Sequence, residues 1–154
     1  MLTEHEKNEI TSELRHCEWK DSASVEALKI VQKQRGWVSD ESLREIAAML
    51  EMAPAEVDAV ATFYSFIFRK PVGRHIIQLC DSMACWTLGL NPLLERLTKT
   101  LGIAYGETTP DSRFTLLPVS CLGACDRAPA VLVDEDLYGP VDPDSIEEIL
   151  MKYL

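Results

Sequence analysis

Four of the five cysteines form two pairs whose spacing suits metal binding. Cys80 and Cys85 have the pattern C-x4-C, and Cys121 and Cys125 have the pattern C-x3-C. Metals bind the thiolate and not the neutral thiol, so two such pairs offer four anionic sulfurs. A [2Fe–2S] cluster has two irons that each need two protein sulfurs. The sequence therefore favours one [2Fe–2S] cluster on these four cysteines.

Other chemistry of paired cysteines is weighed against this interpretation. Structural zinc also takes four cysteines, usually from tighter C-x2-C turns, and it stays open as an alternative in a zinc-stabilised interaction module. A dithiol catalyst of the thioredoxin type needs C-x-x-C, which is absent. A [4Fe–4S] site usually has three cysteines in one tight run, also absent. Disulfides are disfavoured because no export signal precedes the cysteines.

The remaining candidate residues give weaker signals. Cys17 stands apart in a polar helical stretch and is expected to be a structural or surface thiol and not a fifth ligand. His75 could ligate iron as histidines do in Rieske centres, but it is expected to be packed or solvated. No GxGxxG fingerprint follows a predicted strand, so no dinucleotide is expected to bind this chain. No nucleophile stands with a recognisable base, and no catalytic residue is predicted.

Two predicted strands must position the cysteine pairs. Residues 74–79 (RHIIQL) are β-prone and end directly before Cys80, and residues 113–119 (RFTLLPV) end just before Cys121. Pro118 limits the second strand to an edge or a strand end. We expect both pairs at the same edge of one sheet, with backbone N–H groups of the intervening loops around the metal. Gly123 would allow close approach of the backbone to the cluster.

The first 70 residues are predicted to be helical. Gly36 is a helix stop, Ser39 and Asp40 can cap the next helix, and Pro54 suits a first helical turn. Apolar residues recur at helical spacing and are assigned to core packing: Leu43, Ile46, Ala47, Leu50, Val57, Val60, Ala61 and Tyr64. Trp19 and Trp37 are likewise expected to be packing residues.

The pattern changes at residues 70–73, Lys-Pro-Val-Gly, which is the predicted boundary. Residues 1–72 are predicted to form an N-terminal helical region and residues 73–154 a second domain. That domain contains the two strands, a helix with Pro92 in its first turn, a short strand at 130–133, turn residues at 134–139 and a final helix. The order β, α, β, β, α predicts a small α/β sandwich, that is an α+β fold, behind a helical arm.

Composition excludes several classes of function. The formal net charge is −10 and the pI is near 4.7, which disfavours non-specific nucleic-acid binding and adhesion to anionic lipid. No apolar run approaches the ~18 residues of a membrane span, so direct membrane insertion is not expected. The segment MLTEHEKNEI has neither signal-peptide nor transit-peptide character. A bacterial cytoplasmic setting is the simplest expectation.

Several stretches resemble one known family. They are VATFYSFIFRKPVGRH (60–75), CDSMAC (80–85), LGIAYGETTPDSRFTLLPVSCLGACDRAP (101–129) and VDEDLYG (133–139). They are similar to the thioredoxin-like [2Fe–2S] ferredoxin subunits of respiratory complex I, the NADH-quinone oxidoreductase. The similarity runs from about residue 22 to the C-terminus, and CLGAC-x-x-AP with the upstream C-x4-C is its most specific part. Ser112 departs from the family, which commonly has Gly after Asp in this turn.

The resemblance implies a thioredoxin-like domain behind a helical bundle, with Cys80, Cys85, Cys121 and Cys125 as cluster ligands. It implies an oxidoreductase subunit docked on a larger partner that holds FMN, binds NADH and carries a [4Fe–4S] cluster. That assembly would be the peripheral arm on the cytoplasmic side of the bacterial inner membrane. In the family the [2Fe–2S] cluster lies near the flavin but off the main electron route to quinone. Related subunits in NAD-linked hydrogenases and formate dehydrogenases are an alternative assembly, and a stand-alone shuttle ferredoxin is a further possibility.

Acidic residues beside the ligands predict the redox character of the site. Asp81 and Asp126 directly follow two of the cysteines, and only Arg127 offers a nearby positive charge in sequence. Reduction adds one negative charge to an already anionic cluster. We therefore predict a low potential, roughly the −400 mV of plant-type ferredoxins.

Overall fold

The structure, a computed structural model, describes residues 1–153. The chain divides into two compact units, Met1–Pro71 and Val72–Leu154. The predicted boundary after residue 72 lies one residue from this division. Whether each unit is an independently folding domain stays a prediction. No helix among the described residues is long and apolar enough to cross a membrane.

The first unit is a helical bundle. It contains four α-helices and a 3-10 turn: α1 (Glu4–Leu14), the turn Lys20–Ala23, α2 (Ser24–Arg35), α3 (Asp40–Leu50) and α4 (Pro54–Phe63). Three predicted helix signals are confirmed. Gly36 ends α2 in the left-handed conformation with φ +81°, Ser39 accepts a hydrogen bond from Ser42 N–H as the N-cap of α3, and Pro54 begins α4.

Apolar stripes form the core of this unit largely as the spacing predicts. The predicted stripe of α3 is completely buried, and Val57 and Ala61 of α4 are buried with it. Tyr64 and Trp19 are exceptions, because they are 45% and 67% exposed. The interpretation of Trp19 as a packing residue is therefore wrong. It sits where a loop meets the Lys20–Ala23 turn, a position to which helical periodicity does not apply.

A buried ion pair holds α1 against α2. The carboxylate of Glu6 accepts hydrogen bonds from Arg35 Nε and Nη2, each at 2.6 Å, and Glu6 is fully buried. Glu6 also closes a capping box with Thr3, whose backbone N–H donates to it at 2.6 Å. Hydrogen bonding to Arg35 is the largest influence on the Glu6 carboxyl and lowers its pKa to about 2.

The second unit is a four-stranded sheet with helices. Its elements are β1 (His75–Cys80), α5 (Met83–Thr87), α6 (Leu90–Leu101), β2 (Phe114–Val119), a 3-10 turn (Cys125–Arg127), β3 (Val131–Val133), β4 (Asp136–Tyr138) and α7 (Ile146–Met151). The strand order is β2-β1-β3-β4. β1 is parallel to β2 and antiparallel to β3, and β3 is antiparallel to β4. The predicted α+β class, with its helices at the N-terminus, is confirmed.

The proline signals in this unit are also confirmed. β2 is an edge strand of the named sheet and accommodates Pro118, which cannot donate to a ladder. Pro92 lies in the first turn of α6. Leu93 and Leu97 of that helix are fully buried against Ile77 and Leu79 of β1 in one apolar core.

Two elements differ from the sequence prediction. The predicted turn at 134–139 contains β4, which pairs Tyr138 with Val131 and Asp136 with Val133. Asp134, Asp136 and Gly139 are residues typical of turns, but Leu137 and Tyr138 lie between them, and the strand forms because β3 offers an open edge. The loop expected after Cys80 contains the short helix α5, which is too brief to show a helical period.

Candidate metal centre

Parallel pairing of β1 and β2 brings the two cysteine pairs to one sheet edge. The register places Cys80, the last residue of β1, beside Val119, the last residue of β2. The ladder continues past the strands, because Asp81 N–H donates to Val119 O at 2.7 Å. Cys121 follows two residues later. The carboxyl ends of parallel strands meet at the same edge, so each pair begins where its strand stops.

The first pair is buried. Cys80 ends β1 and Cys85 lies within α5, and they are 2% and 1% exposed. Burial raises the pKa of the Cys80 thiol, but hydrogen bonds from Ser82 Oγ and Leu122 N–H outweigh it and leave the pKa below the ordinary value. Burial together with the charge of Cys80 raises the pKa of Cys85, against a hydrogen bond from Ala130 N–H. Each thiol of this pair therefore influences the pKa of the other.

The second pair lies on an exposed loop. Cys121 and Cys125 are both exposed, and Cys125 begins the 3-10 turn. Gly123 stands between them with φ +73°, in the left-handed region, and donates its N–H to Cys121 Sγ at 3.3 Å. An added Cβ at Gly123 would meet nothing within 4 Å of protein. The backbone conformation therefore requires glycine here, and protein crowding does not.

Contacts between the loops join the two pairs. Leu122, between Cys121 and Cys125, directs its backbone N–H to Cys80. The negative charge of Cys121, and to a smaller degree that of Cys80, raises the pKa of Cys125. All four predicted ligands therefore lie in one electrostatic neighbourhood, and backbone N–H groups of Leu122, Gly123 and Ala130 face their sulfurs.

The donor set consists of two neighbouring thiol pairs. Structural zinc needs four donors around one point, whereas [2Fe–2S] irons take two thiolates each. Two neighbouring pairs with N–H donors toward sulfur fit the second requirement.

Neither of the weaker candidate ligands joins this site. His75 begins β1, at the opposite end of the strand from Cys80, and its Nδ1 lies 2.7 Å from Asp134 Oδ2. Its ring also packs against those of Phe114 and Tyr153. Cys17 is half-buried within the helical unit and packs against that unit's core.

Sequence reasoning missed two residues that shape the cysteine loops. Ser82 places its hydroxyl 3.4 Å from Cys80 Sγ. Gly139 lies so close to the second loop that an added Cβ would stand 2.3 Å from the carbonyl oxygen of Arg127. The motif VDEDLYG includes this glycine, but only the fold shows that it faces the turn after Cys125.

A sheet edge that presents two thiol pairs among backbone N–H donors is typical of an iron–sulfur protein. Residues 9–154 match the thioredoxin-like [2Fe–2S] ferredoxin family, and the chain belongs to that family.

Several proteins of known assignment are similar to this chain. The E subunit of NADH-quinone oxidoreductase from Pseudomonas aeruginosa is 51% identical over 154 residues, which are 100% of this chain and 93% of the relative. The corresponding Escherichia coli protein is 49% identical over 152 residues, covering 99% and 92% respectively. Among solved structures, a NAD+-reducing [NiFe]-hydrogenase matches with a TM-score of 0.71 and 27% identity. That match covers 85% of this chain and 22% of the hydrogenase chain.

Proposed function

We propose that this chain is the electron-transfer subunit of a bacterial NADH-quinone oxidoreductase, complex I. It holds one [2Fe–2S] cluster on Cys80, Cys85, Cys121 and Cys125. The observation that carries the proposal is the delivery of two thiol pairs to one edge of the sheet by parallel strands. Relatives about half identical over nearly their whole length bear the name of a subunit of that enzyme, which supports the assembly.

Each part of the site has a separate task. The four thiolates hold the irons, and when bound the cluster takes up and releases single electrons. The N–H groups of Leu122, Gly123 and Ala130 donate toward sulfur and so stabilise negative charge there. Burial of the first pair keeps water from that side of the site. NADH oxidation belongs to the partner chain, since this chain has no nucleotide fingerprint.

The proposed partner is the subunit that holds FMN, binds NADH and carries a [4Fe–4S] cluster. α5 holds Cys85 on its buried side and exposes apolar side chains of Met83, Trp86 and, one residue after its end, Leu88. These three are 76%, 59% and 58% exposed. Exposed apolar groups clustered beside a redox site suit a partner that must approach it closely. In such a complex the chain would belong to the peripheral arm, on the cytoplasmic side of the bacterial inner membrane.

One observation favours a second assembly. The NAD+-reducing hydrogenase structure shares 27% identity over 85% of this chain. The equivalent subunit of such a hydrogenase, or of an NAD-linked formate dehydrogenase, would use the same cluster and the same type of flavin-bearing partner. The two assemblies differ in the final electron acceptor or donor.

Purification of the full chain from its source cells under anaerobic conditions tests the proposal. We expect a reddish-brown protein with equal iron and acid-labile sulfide, together with a flavin-containing chain and NADH-dependent quinone reduction. Hydrogen or formate oxidation by the purified complex would favour the second assembly. A colourless chain with zinc and without iron would contradict the function and support a zinc-stabilised module.

A surface variant tests separately whether the exposed apolar side chains of α5 contact the partner. Trp86→Glu should release the flavin-containing chain, because a charge replaces an exposed apolar contact. The iron content of the Trp86→Glu chain itself should stay unchanged. Met151→Glu, at an equally exposed methionine on α7, is the matched control and should retain the partner. Full retention by Trp86→Glu would place the partner elsewhere.

A further inference from the structure

Tyr105 has a buried hydroxyl that finds no hydrogen-bond partner in the part of the chain that the structure describes. Its oxygen has almost no accessible surface. A buried hydroxyl without a partner costs free energy, so native structures rarely keep one without cause. The ring itself packs against the apolar core that includes Cys80 and Cys85.

The position of Tyr105 directs it toward the cysteine end of the sheet. Thr108 pairs antiparallel with Thr115 of β2, and Gly106 donates its N–H to Leu116 O at 2.8 Å, so the segment from Thr108 back to Tyr105 runs toward the C-terminal half of β2. The C-terminus of β2 adjoins Cys80. Burial first, and then the negative charges of Asp81 and Cys80, raise the pKa of Tyr105 to about 12. The phenol therefore lies within the electrostatic influence of both groups and keeps its proton at neutral pH.

Burial distinguishes between the two neighbouring acceptors. Asp81 is exposed to solvent, whereas the Tyr105 hydroxyl oxygen and Cys80 are both buried. A solvated carboxylate has water as its partner. A buried thiolate coordinated to iron, or a bridging sulfide beside it, still accepts hydrogen bonds from protein.

We propose that the Tyr105 hydroxyl is a positioning and tuning donor, which gives a hydrogen bond to the sulfur shell of the cluster on its Cys80 side. The bond favours the reduced form, because reduction places additional negative charge on the sulfurs. Tyr105 thereby raises the midpoint potential of the cluster. This inference rests on the proposed function, since it requires the four cysteines to hold a [2Fe–2S] cluster.

The test compares the full chain, loaded with iron and sulfide, with its Tyr105→Phe variant. Phenylalanine keeps the ring and removes only the hydroxyl. We expect the midpoint potential to shift to a more negative value at unchanged iron content. After exchange into D2O, pulsed EPR of the reduced variant should lack one deuteron coupling that the parent shows. In the cluster-free chain the same substitution should raise the unfolding midpoint, because it removes an unpartnered buried hydroxyl.

Tyr153→Phe is the matched control. Its ring contacts His75 at the start of β1, and its hydroxyl bonds to Asp136 and Tyr138. We expect its cluster potential to equal that of the parent. Global 3-fluorotyrosine labelling supplies a measurement that does not depend on folding of the variant. A more acidic phenol should shift the midpoint upward in the parent and in Tyr153→Phe.

The possible results distinguish a failure of the proposed role of Tyr105 from a failure of the proposed function. An unchanged midpoint and an unchanged deuteron coupling in Tyr105→Phe, with iron retained, would overturn the role of Tyr105 and leave the function standing. A parent chain that binds no [2Fe–2S] cluster would overturn the proposed function, and the inference with it.

Discussion

Cys121 and Cys125 are exposed, whereas Cys80 and Cys85 are buried. The difference follows from their elements, because a strand end and a short helix hold the first pair and a glycine-containing loop holds the second. The loop depends on the left-handed conformation of Gly123. At the residue scale, then, the buried pair is preformed by packing, and the exposed pair is positioned by backbone conformation.

Ser112 is a second residue whose backbone conformation matters. It adopts φ +55°, in the left-handed region, and its N–H closes the turn by donating to Thr109 O at 2.8 Å. A non-glycine residue is strained in this region. We expect Ser112→Gly to raise the free energy of unfolding by about 1 kcal/mol, measured by chemical denaturation.

Serine at an ordinary backbone angle provides the control for that prediction. Ser145 has φ −86°, and its hydroxyl donates to Asp142 O at 2.8 Å. Ser145→Gly should lower the free energy of unfolding, since glycine adds freedom to the unfolded chain and the hydrogen bond is lost. Equal effects of the two substitutions would show that strain at Ser112 is unimportant.

At the scale of elements, β4 supports the second cysteine loop through Gly139. A methyl group there would lie 2.3 Å from Arg127 O, which is backbone and cannot rotate away. We expect Gly139→Ala to displace the turn Cys125–Arg127, to lower stability by about 2 kcal/mol and to accelerate iron loss to a chelator. The decay of visible absorption measures that loss.

Gly102→Ala controls for strain without crowding. Gly102 ends α6 with φ +69°, and an added Cβ there meets nothing within 4 Å. Gly102→Ala should lower the free energy of unfolding by about 1 kcal/mol and leave the rate of iron loss unchanged. Parent-like iron retention in Gly139→Ala would refute the supporting role of β4.

The pairing of α1 with α2 depends on pH. The pKa of Glu6 is about 2, below its ordinary value of 4.5, so the folded state binds its proton less well than the unfolded state. The resulting stability is fully present above pH 4.5 and is lost as pH falls toward 2. We expect Glu6→Gln to cost about 3 kcal/mol at pH 7, and this cost to shrink as the pH is lowered from 4.5.

Denaturant unfolding at pH 7 and pH 3, followed by helical circular dichroism, measures this dependence. Glu4→Gln is the control, because Glu4 is exposed and pairs with Lys7 on the same helix. Its effect should be small at both pH values. A Glu6→Gln cost that does not change with pH would contradict the ionic origin of the stabilisation.

Sequence and structure agree where local chemistry determines the outcome. Gly36, Ser39 and Pro54 act at helix ends, and each does so through its own backbone or side chain. The cysteine pairs reach one edge because β-prone segments directly precede them. Tertiary contacts explain the differences. β4 forms on the open edge of β3, and Gly139 approaches a turn twelve residues earlier in the chain. The buried position of the Tyr105 hydroxyl is likewise visible only in the folded chain.

At the scale of the whole molecule, charge sets the expected potential. The chain has a formal net charge of −10, and Arg127, the cation nearest the ligands in sequence, lies 3.7 Å from Asp126 and is itself exposed. Adding an electron to an anionic cluster in such surroundings is unfavourable. We expect a midpoint of roughly −400 mV in a dye-mediated redox titration of the loaded chain. A midpoint above zero would contradict the electrostatic account.

Ligand replacement tests the central assignment most directly. Iron and acid-labile sulfide are determined in the loaded chain and in five single Cys→Ala variants, with EPR of the reduced proteins. We expect two irons and two sulfides per parent chain, loss of the [2Fe–2S] signal in the variants of Cys80, Cys85, Cys121 and Cys125, and an unchanged signal in Cys17→Ala. Loss of the cluster in Cys17→Ala, or its full retention in any of the other four, would contradict the assignment.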